Sequence, residues 1–111
     1  MKRGEVWMVD FGPPSGPEQA GRRPVIVIQD DAMTPVLTTV IVLPLTTNLR
    51  RLELPTTIRI EAGDGGLPQI SVALCHQVQV RGKARLITRL GKLSAAKLDE
   101  IEECLLATIG L

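Results

Sequence analysis

Residues 21–31 read G-R-R-P-V-I-V-I-Q-D-D, and the fold turns on them. A run of β-branched residues this short, entered through Pro24 and left through two aspartates, predicts a buried central strand over Pro24 to Asp30. Strand side chains alternate, so Arg23, Val25, Val27 and Gln29 share one face while Pro24, Ile26 and Ile28 share the other. Arg23 thereby enters the sheet, and Arg22 points the opposite way. A guanidinium held at the mouth of an apolar strand needs either a carboxylate or an anionic ligand beside it.

Upstream, Gly4 to Asp10 (G-E-V-W-M-V-D) alternates loosely and predicts a first strand. The twelve residues between the two, F-G-P-P-S-G-P-E-Q-A-G-R, hold three Gly and three Pro and have no period, the pattern of a long functional loop. Downstream, Thr38 to Leu45 predicts a third strand, with Thr38, Val40, Val42, Pro44 and Thr46 on one face and Pro44 at a strand end or edge. Thr56 to Glu61 alternates as a half-exposed strand does. After the turn G-D-G-G comes a strand over Ser71 to Val80, then a turn at Arg81-Gly82-Lys83 and a short strand over Ala84 to Ile87. Only the last segment has a helical period: Ser94 is the N-cap, Leu93 and Leu98 sit at staple positions, Leu98, Ile101, Leu105 and Ile109 line one face, and Gly110 stops the helix. The fold class is therefore α+β, mainly β: one domain over residues 1–111, a small, partly open barrel with a C-terminal amphipathic helix.

Composition narrows the functions available. A chain of 111 residues supports one core, and no apolar run approaches a membrane span, so a cytoplasmic protein is expected. Cys75 and Cys104 lack C-x-x-C spacing and read as small core residues rather than a disulfide or redox pair. One His and two separated Cys give no metal-ligand cluster, and neither a metal nor a cofactor is expected. Net charge is +1, but residues 94–111 carry −3, so the body of the domain, at +4, is the part that meets a polyanion.

Arg23 and Thr46 would both lie near strand ends beside the long loop, and they converge if their strands are neighbours. A guanidinium and a hydroxyl suit a phosphodiester: the first stays charged at any working pH and offers a rigid fork of donors, the second adds a short, oriented one. Together they stabilise the extra negative charge of a five-coordinate phosphorus. A purely structural reading has Arg23 cap its strand and pair with Glu18 or Asp30.

The stretch G-E-V-W-M-V-D-F-G-P-P-S-G-P-E-Q-A-G-R-R-P-V-I-V-I-Q resembles the N-terminal signature of the MazF/PemK (Kid) family of toxin endoribonucleases. L-P-L-T-T and S-V-A-L-C-H-Q-V, then R-L and a Gly before the last helix, continue the likeness in order along nearly the whole chain. The resemblance implies a homodimer of SH3-like, CcdB-like barrels that cleaves single-stranded RNA without a metal, at short preferred sequences, and is neutralised by a cognate antitoxin. By position it implies Arg23, Thr46 and the loop glutamate Glu18 as catalytic residues. Gln29, Thr47, Asn48, Ser71 and Gln77 are the candidate RNA contacts. The chain departs from the family at Gln79, where a basic residue is frequent, and at His76, where an acidic one is.

Alternation places His76 with Val72, Leu74, Val78 and Val80, a core or interface histidine rather than a general base, and leaves Gln77 on the face of Ser71 and Cys75. Asp30-Asp31 reads as a turn, Arg50-Arg51 as a solvated loop, and Trp7 as core. Two other functions compete with the nuclease. One is a CcdB-like gyrase-poisoning protein; those relatives end their helix in Trp-Gly-Ile where this chain has Ile109-Gly110-Leu111. The other is a catalytically inactive barrel that only binds an antitoxin.

Overall fold

The computed structural model describes residues 1–13 and 20–111. Among these residues seven strands and one α-helix follow in order: β1 (Glu5–Asp10), β2 (Arg22–Val27), β3 (Thr39–Thr46), β4 (Thr57–Ile60), β5 (Ser71–Leu74), β6 (Gln79–Gly82), β7 (Leu86–Lys92) and α1 (Ala95–Thr108). All pairings are antiparallel. The strand order is β4-β5-β3-β2-β1-β7, with β6 also on β3, and the sheet does not close.

β3 organises the molecule. β2 pairs with one of its edges at Val42 to Pro44, while the other edge is shared: β5 takes Leu45 and Thr46, and β6 takes Thr39 to Val42. That sharing requires the chain to break between β5 and β6, and a one-turn 3-10 helix at Cys75–Gln77 breaks it. The single strand expected over Ser71 to Val80 is therefore two strands, and the alternation argument fails beyond Leu74. His76 lies on the turn and is exposed, so it is not a core residue.

Alternation along β2 and β3 gives the sheet two apolar faces. Ile26, Leu43 and Leu45 join Val6, Ile60, Ala73, Leu93 and Ile101 in a core beneath α1. Val25, Val27, Val40 and Val42 join Val9 and Leu86 inside the curl of the sheet, with Trp7 and Phe11 packed against them. Each of those core side chains is at most 7% exposed, and burying one contributes about 1.5–3 kcal/mol.

Other boundaries moved as well. β2 begins at Arg22 and ends at Val27 rather than spanning 24–30. Pro44 is the sixth of the eight residues of β3 rather than at its end. Arg81 and Gly82 belong to β6, because Lys83 N–H still bonds Thr38 O at 3.1 Å, and the turn falls at Lys83–Arg85. β7 is longer than the strand expected at 84–87, reaching Lys92. Gly91 sits within it because the backbone of Gly65 and Gly66 passes so closely that a Cβ would collide.

The helix forms as its caps dictate. Ser94 Oγ accepts the Lys97 N–H, while its own N–H and hydroxyl donate to Asp64 Oδ1 at 2.8 Å and Oδ2 at 2.9 Å. At the other end Gly110 takes φ +84°, Gly110 N–H bonds Ala107 O and Leu111 N–H bonds Leu106 O, a Schellman closure. Ile101 is fully buried and Leu98 and Leu105 half so, but Ile109 lies beyond the sheet and is exposed. Among the described residues no helix is long and apolar enough to cross a membrane.

Candidate active site

The register of β2 on β3 places the two residues singled out for phosphate chemistry. Val27 pairs with Val42, Ile26 with Leu43 and Val25 with Pro44; two further steps along the same register set Arg23 opposite Thr46. The ladder stops before that point because Pro24, which stands opposite Leu45, has no N–H to donate. Both side chains rise on the face of Val25, Val27, Val40 and Val42, at the mouth of the curled sheet.

Arg23 is exposed and is steadied through Nε–H, which donates to Ala20 O at 3.2 Å. Among the described residues its guanidinium meets no carboxylate, so a pair with Asp30 is absent. Asp30 instead closes its own turn by accepting the Ala32 N–H, and Asp31 accepts the Arg3 N–H. Thr46 is half-buried, and its Oγ1 accepts the Asn48 N–H at 3.2 Å, which fixes the hydroxyl's orientation. Asn48 in turn caps the 3-10 helix Leu49–Glu53, so Arg50 and Arg51 are exposed just beyond the site. Glu18, the third expected catalytic residue, lies outside the described residues.

The five expected RNA contacts do not gather in one place. Thr47 and Ser71 are close to Thr46 in sequence or register, yet alternation turns them to the opposite face. There they line a 270 Å³ apolar cleft with Met8, Pro24, Leu67 and Leu90. Ser71 is only 2% exposed, and its hydroxyl is spent on Gln69 O at 3.0 Å. Gln29 is a clear correction: β2 ends before it, and at 3% exposure its amide donates inward to Thr34 Oγ1 and Thr39 O. It braces the turn before β3 and does not face solvent. Asn48 is exposed beside Thr46, and Gln77 is half-buried on the Cys75–Gln77 turn next to His76. His76 Nδ1 is 2.7 Å from Thr56 Oγ1, a surface contact on the β4 side.

Two residues on the Arg23 face were not among the expected site residues, Gln79 having been noted only as a departure from the family. Gln79 pairs with Val42 and Arg81 with Val40, so both lie on the side of β6 that continues the mouth. The Arg81 guanidinium carbon sits 5.1 Å from the centre of the Phe11 ring. A turn had been read at Arg81, and no local pattern links it to Phe11, seventy residues away.

The ionisable groups outside the mouth are structural. Burial pushes the Glu5 carboxyl up, but hydrogen bonds from Lys2 N–H, Arg89 Nε–H and Trp7 Nε1–H, with the charge of Arg89, outweigh it and hold it at about 2. The Cys75 thiol is pushed up to about 12 by burial and by the adjacent Cys104 thiol. The two cysteines thus meet between the Cys75–Gln77 turn and α1, an approach their spacing did not suggest.

Comparison with known proteins bears on this arrangement. The model of the PemK-like, MazF-like toxin of type II toxin-antitoxin systems matches residues 2–109. The chain is 36% identical over 111 residues to an endoribonuclease MazF of Staphylococcus saprophyticus, covering all of this chain and 92% of that protein. Among solved structures it superposes on the Mycobacterium tuberculosis toxin MazF-mt6 with a TM-score of 0.80 at 26% identity, over 96% of this chain and 97% of that one. It also superposes on a mycobacterial endoribonuclease in complex with its cognate antitoxin, with a TM-score of 0.83 at 24% identity, over 100% and 96% of the two chains.

Proposed function

Because the chain belongs to the PemK-like, MazF-like toxins of type II toxin-antitoxin systems, we propose that it is a cytoplasmic endoribonuclease that cuts single-stranded RNA and is neutralised by a cognate antitoxin. The observation that carries the reading is the placement of Arg23, without a carboxylate partner among the described residues, opposite Thr46 at the open mouth of the sheet. In the reaction the RNA 2′-oxygen bonds to the adjacent phosphorus and the P–O5′ bond breaks, leaving a 2′,3′-cyclic phosphate and a 5′-hydroxyl. Arg23 stabilises the charge on the phosphorane and hydrogen-bonds the departing oxygen, which takes its proton from water. The Thr46 hydroxyl orients the phosphate. The Arg23 guanidinium offers only donors and no acceptor, so it cannot serve as the base. Glu18 is the carboxylate assigned to the 2′ proton.

The active form is a homodimer. Ile41 and Val80, directly paired across β3 and β6, are 37% and 52% exposed, an apolar strip that a second copy covers. Light scattering should give twice the chain mass.

The deciding experiment incubates long RNA with the protein in EDTA and maps the ends. Cyclic phosphate and 5′-hydroxyl ends are expected, with a loss on the order of 100-fold or more for Arg23→Ala and a much smaller one for Arg22→Ala. Restoration of activity by magnesium alone, or full activity in a folded Arg23→Ala protein, would refute the mechanism. A protein that binds antitoxin but never cuts would be the inactive barrel.

A further inference from the structure

We propose that Arg81, seated on the Phe11 ring, is a second phosphate-binding residue that grips the RNA one or more nucleotides from the cut. The inference rests on the nuclease reading above. Three observations place it on the substrate path. Arg81 pairs with Val40, whose side chain shares the face of Val42, Val25 and Val27, so Arg81 and Arg23 look into the same mouth. Phe11 packs against that same valine cluster, and its N–H bonds Gly21 O at 2.8 Å, two residues before Arg23. The Arg81 guanidinium, 5.1 Å from the ring centre, is therefore carried from β6 to the base of the loop that precedes Arg23.

The chemistry of the seat favours an anion. An aromatic face under a guanidinium orients the plane and occupies one side of it, while the N–H donors at its rim remain directed outward. Among the described residues only Nη1 is engaged in a hydrogen bond, donating to Val80 O at 2.9 Å. Among the described residues no carboxylate lies within ion-pair distance of it. A half-buried cation with spare donors, beside a transition-state cation on the same face, fits the next phosphate of a polyanion better than a solvated surface role.

The test measures binding of a mixed-sequence RNA methylated at every 2′-hydroxyl, across a salt series, by fluorescence anisotropy. Arg81→Ala should weaken binding about tenfold at low salt, and the slope of log K against log salt should fall by about 0.7, the value for one lost phosphate contact on a single strand. Arg81→Lys should keep the slope while recovering only part of the affinity, because the charge remains without the stacked plane. Arg85→Ala, an exposed cation on the neighbouring turn, should leave the slope unchanged. Wild-type slope and affinity in a folded Arg81→Ala protein overturn the inference and leave the proposed function standing. A wild-type protein that binds this RNA with the expected Arg81 dependence but never cuts RNA overturns the nuclease reading alone, and one that binds no RNA overturns both.

Discussion

A methyl group at Gly91 should damage the fold far more than the same methyl at Gly82. Gly91 lies in β7 where the turn Gly65-Gly66 crosses it, and a Cβ there would stand 2.7 Å from Gly65 C and 2.8 Å from both Gly65 O and Gly66 N. Ordinary contact begins at 3.4 Å, so the turn must retreat by about 0.7 Å, and the colliding atoms are backbone rather than the tip of a flexible side chain. Retreat is blocked behind: the Cβ position of Gly65 is itself 2.6 Å from Val6 Cγ2 and 3.0 Å from Leu93 Cδ2, both buried. Overpacking of this kind costs about 1–3 kcal/mol, and rigid atoms on both sides argue for the upper part of that range. The smaller entropy of unfolded Ala offsets about 0.4–1 kcal/mol, leaving a net loss of about 2 kcal/mol and a Tm lower by roughly 8 °C. Gly82, at φ −63° and ψ 140° with nothing within 4 Å of its Cβ position, meets no such wall. Gly82→Ala should therefore be neutral or raise Tm by a few degrees. Thermal unfolding followed by circular dichroism at one fixed protein concentration reads both. Equal Tm values for Gly91→Ala and wild type, or equal losses at the two positions, would refute the close crossing.

Two further outcomes follow from the ionisable groups. Glu5 has its pKa depressed to about 2 in the folded protein, below the ordinary value of 4.5; the stability it contributes is complete above that ordinary value and is lost as pH falls from about 4.5 toward 2. Glu5→Gln should be less stable at neutral pH and lose less stability across that window, so a wild-type acid-unfolding profile parallel to that of Glu5→Gln would contradict the Arg89 and Lys2 contacts. Cys104, half-exposed on α1, should react with a maleimide in the native protein, whereas Cys75, fully buried and with its thiol pushed up to about 12, should react only on unfolding. Equal native rates for the two thiols would show that the helix does not cover Cys75.

The parts of the fold that were legible are those specified by short-range rules. Alternation through V-I-V-I separates two cores, Ser94 and Gly110 bound a helix, and Gly and Pro mark the loop before Arg22. The division of residues 71–80 was not legible, because S-V-A-L-C-H-Q-V-Q-V has no Gly or Pro and the break at Cys75 arises from the tertiary demand that two strands share one edge of β3. That single error carried His76 to the wrong side. Arg23 and Thr46 could be paired because both hang on strands whose periods were correct. Gln29 was misplaced because the period was extended two residues past the end of β2. Ser71 was grouped with Gln77 by an alternation that the break at Cys75 interrupts, and it lines the apolar cleft together with Thr47.

Pro24 explains why the mouth stays open at the point where the chemistry is proposed. Beyond the pairing of Val25 with Pro44 the β2–β3 ladder cannot continue, because Pro24 has no N–H to donate to Leu45 O, so the two strands are free to diverge. Each end is nevertheless held from its outer side. β1 keeps Arg23 in register through Val9, and β5 keeps Thr46 in register through Val72. The result is a gap between two anchored strand ends, with a guanidinium on one side and an oriented hydroxyl on the other, rather than a flexible tip. Such preorganisation is what a transition-state donor needs, since donors fixed before reaction avoid the cost of reorganising during it. The sequence G-R-R-P-V therefore has a physical logic of its own: the proline that follows Arg23 removes the donor that would have closed the ladder between Arg23 and Thr46.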